Sequence, residues 1–416
     1  MSMKNSKGIT LVALVATIVV LLILAGVSIN LVLGENGLIS NAKEARDKTK
    51  TAEANEKSQL DSASDFISEA VNNTELPQTN ETKPYMPGDG FTKVNGTNLA
   101  NGLTIQDTDG NQYVWIEVPM TEEVYPTAKL GITEFNDEAY TKIENDLHTY
   151  TVTYRNNTSY KDEYYEDTNN TADWYTQEQY TAQKQKMLKS VYQNGGFWVA
   201  RYEAGLTEEN KRTSSTTAPT ITLQSKENLI PYTHITRTQA KKLAEMVQYI
   251  KNGVTYKGSL MFGVQWDLML KFIETKKIAT DTTIISKLKL DSTLIGNYYN
   301  SEYVINRGKY RFATIWHNYT EDLDGIIENK EKIAQDSNSK GTLLTTGAAD
   351  QNCLMNIYDI AGNAWEWTLE YTSNSNYPCA VRGGGYDNKG SSNASYRYND
   401  ALKYSTGVDS FRISIY

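Results

Sequence analysis

The chain has 416 residues, 39% of them hydrophobic and 22% charged, with only 8 prolines, a composition that supports a folded core and excludes a wholly disordered or collagen-like chain. A formal charge of −9 argues against sequence-independent nucleic-acid binding, which needs basic surface for phosphate contacts. With 2 cysteines and 3 histidines, no four-cysteine zinc site or iron–sulfur cluster can be assembled, and the paired spacing of a two-cysteine, two-histidine finger is absent. The 29 tyrosines against 8 phenylalanines fit a recognition surface better than a core, because tyrosine combines contact area with a hydroxyl.

Residues 9–34 carry no charged side chain and are mostly Val, Leu, Ile and Ala. At about 1.5 Å per residue this run is long enough for a hydrocarbon core of about 30 Å. Lys4 and Lys7 precede it and place the N-terminus on the cytoplasmic side. The shorter apolar region and small-residue cleavage site of an ordinary secretory signal are not seen. An amphipathic stalk helix is predicted over 35–71, where Leu60, Ala63, Ile67, Ala70 and Val71 recur at helical spacing. Residues 72–90, with Pro77, Pro84 and Pro87, read as a polar linker. The expected location is the cell membrane, crossed once, with the C-terminal domain extracellular.

From Phe91 the pattern changes to strands and turns, and 91–416 is predicted to be the ectodomain. Residues 102–118 predict a hairpin turning near Asp109-Gly110; Asp107, Asp109 and Asn111 lack the spacing of a calcium loop. Residues 145–185 form a polar insertion, read as a surface excursion, with a short helix around 177–192. A buried strand follows over 195–203. Helices are predicted over 236–251, capped by Thr236, and over 264–276, with Trp266, Met269, Leu270, Phe272 and Ile273 as apolar positions. After Cys353 come short strands and glycine turns. The expected class is α+β: a long transmembrane and stalk helix, then a head of short strands and two packed helices.

Lys7-Gly8-Ile9-Thr10-Leu11, at the start of the apolar run, resembles the class III signal of type IV prepilins. The resemblance implies a leader 1–8, removed between Gly8 and Ile9 by a prepilin peptidase, and other pilin subunits as partners in a surface pilus. Prepilins usually carry glutamate at the fifth mature position; here it is Ala13, which favours a minor or tip subunit or a simple anchor.

Asn356-Ile-Tyr-Asp-Ile-Ala-Gly-Asn-Ala-Trp-Glu-Trp-Thr368, Val381-Arg-Gly-Gly-Gly-Tyr386 and Val408-Asp-Ser-Phe-Arg-Ile413 resemble the landmarks of the formylglycine-generating-enzyme (sulfatase-modifying factor) superfamily, a variant of the C-type lectin fold. The resemblance implies a structural calcium ion at Asp359, Gly362, Ala364 and Glu366, oxygen donors of the type calcium prefers; a hydrogen-bonded turn without metal explains the same residues. The enzymes bind copper through two cysteines after the second landmark. Those positions here are Asn388 and Asn393, and neither can supply a thiolate. Cys353 and Cys379 lie before the glycine run, and their pairing stays open. His148, His234 and His317 lack the spacing of an iron site. Copper and iron are therefore not expected, and no catalytic residue is assigned.

The stretch 384–410 is dominated by Tyr, Asn, Ser, Asp and Gly, like an antibody recognition loop. It also resembles the variable proteins of diversity-generating retroelements. Tyr386, Asn388, Asn393, Tyr396, Arg397, Tyr398, Asn399 and Tyr404 are the candidate ligand-binding residues. The expected function is a membrane-anchored or pilus-associated surface protein whose catalytically degenerate lectin-like head binds a protein or glycan ligand. The alternatives are an oxidoreductase of the superfamily with a non-standard site and a structural minor pilin.

Overall fold

The computed structural model describes residues 18–21, 49, 76–155, 159–168, 171–214, 216–302, 304–312, 315–318 and 341–416. The chain divides into two compact units, Met1–Asn73 and Thr74–Tyr416, and nearly all described residues belong to the second. In chain order this unit contains β1 (Thr92–Lys93), β2 (Thr104–Gln106), β3 (Gln112–Glu117), α1 (Asp137–Tyr150), α2 (Val152–Arg155), α3 (Gln177–Asn194), β4 (Gly196–Ala200), β5 (Gly205–Leu206) and β6 (Ile230–Pro231). There follow α4 (Arg237–Met246), β7 (Gln248–Lys251), β8 (Val254–Leu260), α5 (Gly263–Lys277), α6 (Ile284–Lys289), β9 (Lys309–Phe312) and β10 (Ile315–Asn318). The remainder is β11 (Cys353–Leu354), β12 (Ile357–Tyr358), β13 (Trp365–Tyr371), β14 (Cys379–Arg382), β15 (Arg397–Asp400), β16 (Asp409–Phe411) and β17 (Ile413–Ile415).

A seven-stranded antiparallel sheet runs β1-β2-β3-β4-β17-β8-β7, so the last strand of the chain is inserted between β4 and β8. A four-stranded sheet runs β15-β14-β13-β16, with β13 and β16 parallel. The core between these elements is aromatic. Trp115 of β3 meets Trp198 of β4 edge-on at 5.0 Å, and Trp266 and Trp367 are fully buried. A buried indole must also place its N–H. Trp115 donates to Thr82 Oγ1 at 2.7 Å and Trp198 to the Tyr85 carbonyl at 2.8 Å.

Those two acceptors correct the domain boundary. Residues 76–90, expected as a linker, contribute buried Leu76 and Thr82, and Tyr85 and Met86 pack on the core. The insertion 145–185 is likewise not a surface excursion. Its Asp162 accepts from the Gly263 and Val264 N–H groups at 2.6 and 2.8 Å, capping the otherwise orphaned first turn of α5. Trp174 and Tyr175, from the same stretch, are buried.

α3 and α4 both begin with a reciprocal threonine–glutamine box, Thr176 with Gln179 and Thr236 with Gln239. The helix predicted over 236–251 stops at Met246, and 248–251 instead pairs with β8 as a hairpin. Asn252 and Gly253 form its turn, both with positive φ (51° and 77°).

The expectation of an α+β chain led by a long transmembrane and stalk helix is overturned. Among the described residues no helix is long and apolar enough to cross a membrane. The frame of the described unit is sheet with six short helices packed on it, the longest of 18 residues. The same finding corrects the expected single-pass location in the cell membrane. The apolar run 9–34 and the stalk 35–71 lie outside the described residues except for 18–21 and 49, and so does the processing site Gly8–Ile9.

Candidate functional site

The surface built by 384–410 stands on buried ionic groups. Arg382 of β14 donates to Glu370 of β13 at 2.9 Å and to Asp267 of α5 at 2.8 Å. Arg397 of β15 donates to the same two carboxylates, at 2.8 Å to Glu370 and 2.5 Å to Asp267. Two guanidiniums and two carboxylates thus alternate in a closed ring that ties three strands to one helix, and each partner neutralises its neighbours where water cannot. Arg397 also donates to the Tyr154 carbonyl at 2.9 Å. With 6% of its side chain exposed it is part of the scaffold, and the sequence expectation that it meets ligand is corrected.

A second buried cluster occupies the positions expected to hold calcium. Both oxygens of Glu366 accept from Arg412, the shortest contact being 2.7 Å, and Arg412 also donates to the carbonyls of Ala200 and Tyr358. Asp359 accepts from the Gly347 N–H at 2.8 Å. The Gly362 N–H goes to the Gly383 carbonyl, and the Ala364 N–H goes to Glu203. Arg412 already supplies Glu366 with the positive charge that a cation would bring. Among the described residues no group of three or more His, Cys, Asp or Glu is disposed to hold a metal. Glu366, bonded on both oxygens by Arg412, is therefore not presented as a calcium ligand.

Glu203, absent from the sequence expectations as a site residue, is fully buried beside this cluster and accepts from Asn363 Nδ2 at 2.9 Å. Burial, then the charges of Asp359 and Glu366, push its carboxyl well above the usual range. Asp359 is pushed up to about 6 by burial, against the pull of the Gly347 N–H and Arg412.

Asn388 and Asn393, which the sequence resemblance aligned with copper ligands, are bonded into the fold. Asn388 Oδ1 accepts from the Gly385 N–H at 2.9 Å and closes the turn 385–388. Asn393 is buried; its amide donates to the Lys289 carbonyl at 2.8 Å, and its Oδ1 accepts from the Ser395 N–H and hydroxyl. Gly384 sits in the left-handed region (φ 82°), and a Cβ there would come 2.2 Å from the Ser392 carbonyl oxygen, so the chain needs glycine to bring these two segments together. Cys353 and Cys379 are both free thiols.

Three of the candidate residues are open to solvent: Tyr396 (41% exposed), Tyr398 (47%) and Tyr404 (42%). The ring of Trp365 lies 6.1 Å from Tyr396 and 5.6 Å from Tyr398, forming a nearly buried base. Tyr404 is linked to the same surface: partial burial and the nearby Asp400, Asp409, Tyr398 and Asp387 raise its phenol above the ordinary value. Asn399 lies beside Tyr398 on β15 and is half-buried. Tyr386 is buried, packed with Ile230, Trp316, Leu343 and Ala364, and its hydroxyl lies 2.5 Å from Arg311 Nη2. Among the candidate residues, Tyr396 and Tyr398 lie against Trp365 and Tyr404 is exposed on the loop 401–408; Asn399, next to Tyr398 on β15, falls on the same side of the strand as Arg397, and Asn388 and Asn393 are held in turns by hydrogen bonds.

Sequence reasoning missed Asp400 and Asp409. Both are buried; burial and the Asp409 charge push Asp400 to about 7, and burial pushes Asp409 to about 6 despite its bonds from Thr406. Their place at the strand ends flanking the loop 401–408 was the available signal.

No protein-family model matches the chain, and no curated protein is similar to it. Among solved structures, the chain is similar to the crystal structure of CarF, with a TM-score of 0.27 and 14% identity over 53% of this chain and 85% of that one. It is also similar to Treponema denticola variable protein 1, with a TM-score of 0.28 and 11% identity over 53% of this chain and 84% of that one. Both likenesses are compatible with a lectin-like, variable-protein-like head, and at these TM-scores they carry no argument for it.

Proposed function

We propose that the unit from Thr74 to Tyr416 is a ligand-recognition head, with Tyr396, Tyr398 and Tyr404 as its contact surface and no catalytic role. One observation carries the reading: three tyrosines close in sequence are each more than two-fifths exposed, two of them over Trp365, while Arg397 between those two is fixed in the buried ionic ring. Tyrosine supplies large contact area at low entropic cost, and a surface whose support is already ordered loses little more on binding. Asn388 and Asn393, bonded into the turn, cannot act as the thiolates that the related oxygen-activating enzymes require. The ligand is a protein or glycan surface, and the exposed positions are those at which a diversified variable protein would change sequence without loss of fold.

The test replaces Tyr396, Tyr398 and Tyr404 with serine in the full chain and screens glycan and protein panels against both forms. Binding by the wild type that is lost in the variant, at an unchanged melting temperature, supports the reading. Equal binding by both forms, or oxygen consumption by the copper- or iron-loaded protein, contradicts it.

A further inference from the structure

A second site is independent of the tyrosine face. An open groove of about 450 Å³ is lined by Tyr175, by Gln183 and Lys186 of α3, by Lys241 and Glu245 of α4, and by Lys257 of β8. That volume falls within the range of small-molecule sites, roughly 300–1,000 Å³.

Its charge does not match its surroundings. The chain carries −9 overall, yet the groove holds three ammonium groups against one carboxylate. Lys241 is already satisfied: it pairs with Glu245 at 2.9 Å, donates to the Asp173 carbonyl at 3.1 Å and lies 4.2 Å from the centre of the Tyr175 ring. Among the described residues Lys186 donates only to the Thr255 carbonyl, at 3.3 Å. Among the described residues neither Lys186 nor Lys257 has a carboxylate partner. Partial burial and then the neighbouring Lys257 charge hold the Lys186 ammonium below its ordinary pKa. Two like charges facing one groove repel each other, and an anion placed between them turns that repulsion into two charge-assisted hydrogen bonds.

The polar groups around the lysines fit the same occupant. The Gln183 amide nitrogen is fixed by donation to the Tyr416 hydroxyl at 2.8 Å. The Tyr175 phenol is buried, and burial and then the Glu245 carboxylate beside it raise it well above the ordinary value, so its hydroxyl stays a donor. We infer that this groove binds a small polar molecule bearing an oxyanion, with Lys186 and Lys257 contacting the anionic group and Tyr175 forming the wall beside it. Carboxylate, sulfate and phosphate share the required chemistry, and a charged sugar is of a size the groove admits.

The test is isothermal titration of the full chain with inorganic phosphate, inorganic sulfate and glucuronate separately, at low and at physiological ionic strength. The wild type is expected to bind at least one of the three, more weakly at higher salt. Lys186→Met and Lys257→Met should each weaken that binding by about tenfold, the size of one lost charge-assisted contact, with the melting temperature unchanged. Lys142→Met, at an exposed lysine on α1, should leave it unaltered. Preference for glucuronate assigns a sugar acid, and preference for phosphate or sulfate assigns an ester of that acid. Absence of binding by all three, or binding undiminished in the Lys186→Met/Lys257→Met double variant, overturns the inference. None of these outcomes bears on the tyrosine face.

Discussion

Replacing Arg397 with alanine separates support from contact most sharply, because the sequence places this residue among the ligand-binding tyrosines and the structure places it beneath them. The substitution leaves Asp267 and Glu370, both fully buried, with Arg382 as their sole guanidinium partner. Removing one member of a buried ion pair costs about 3–5 kcal/mol, because the remaining charge stays out of water without compensation. The lost bond to the Tyr154 carbonyl adds about 1 kcal/mol. Against a typical total of about 5–15 kcal/mol this is a large fraction. The assay is urea unfolding of the full chain followed by tryptophan fluorescence, with Tyr398→Ala as the neighbour control. Tyr398 is 47% exposed, and its replacement should stay within about 1 kcal/mol of wild type. Glu370→Gln completes a double-mutant cycle: if the ring acts as one unit, the Arg397 and Glu370 losses should be strongly non-additive. A stable Arg397→Ala variant that has lost ligand binding would refute the reasoning and return Arg397 to the contact surface.

Three further outcomes follow from the same geometry. Added calcium or a chelator should leave the melting temperature of the full chain unchanged, whereas Arg412→Ala should lower it markedly by stranding Glu366; stabilisation by calcium that depends on Asp359 or Glu366 would contradict the pairing of Glu366 with Arg412. Asp400 and Asp409 hold protons more tightly in the folded chain (to about 7 and about 6) than in the unfolded one, so their contribution to stability is present at low pH and is lost as pH rises through those values. Asp400→Asn should flatten that slope in melting curves measured across the window, and an unchanged slope would remove Asp400 as its source. A chain starting at residue 91 strips the acceptors from the buried indoles of Trp115 and Trp198, at about 1–3 kcal/mol each, and should melt well below one starting at residue 74; equal melting temperatures would restore 72–90 to linker status.

The head's organisation was legible where chemistry is local. The hairpin at Asp109-Gly110 and the helix around Trp266 follow from turn residues and apolar runs, and the structure has both; the buried strand expected over 195–203 is shorter, Gly196–Ala200. The Asn252-Gly253 turn was equally readable but was overridden by a helical reading that ran past Met246, although Asn-Gly between β-branched and aromatic residues is a strong hairpin signal. Long-range pairing was not readable: nothing near Asp162 says that it caps a helix beginning at Gly263, and nothing near Thr82 announces Trp115. Composition groups Tyr396, Arg397 and Tyr398 together, while in the structure the arginine is turned inward, 6% exposed, and the tyrosines on either side of it are more than two-fifths exposed. Composition groups these residues; alternation separates the buried one from the exposed ones.

Affinity of the full chain for a ligand drawn from the glycan and protein panels, measured for the wild type, for Tyr396→Ser/Tyr398→Ser/Tyr404→Ser and for Asn393→Ala, addresses the central claim most directly. The expected result is loss of binding in the tyrosine variant at a wild-type melting temperature, with Asn393→Ala instead lowering the melting temperature through its lost loop bonds. A tyrosine variant that binds as tightly as the wild type, or one that fails to fold, would show that these side chains serve the structure and that the recognition surface lies elsewhere.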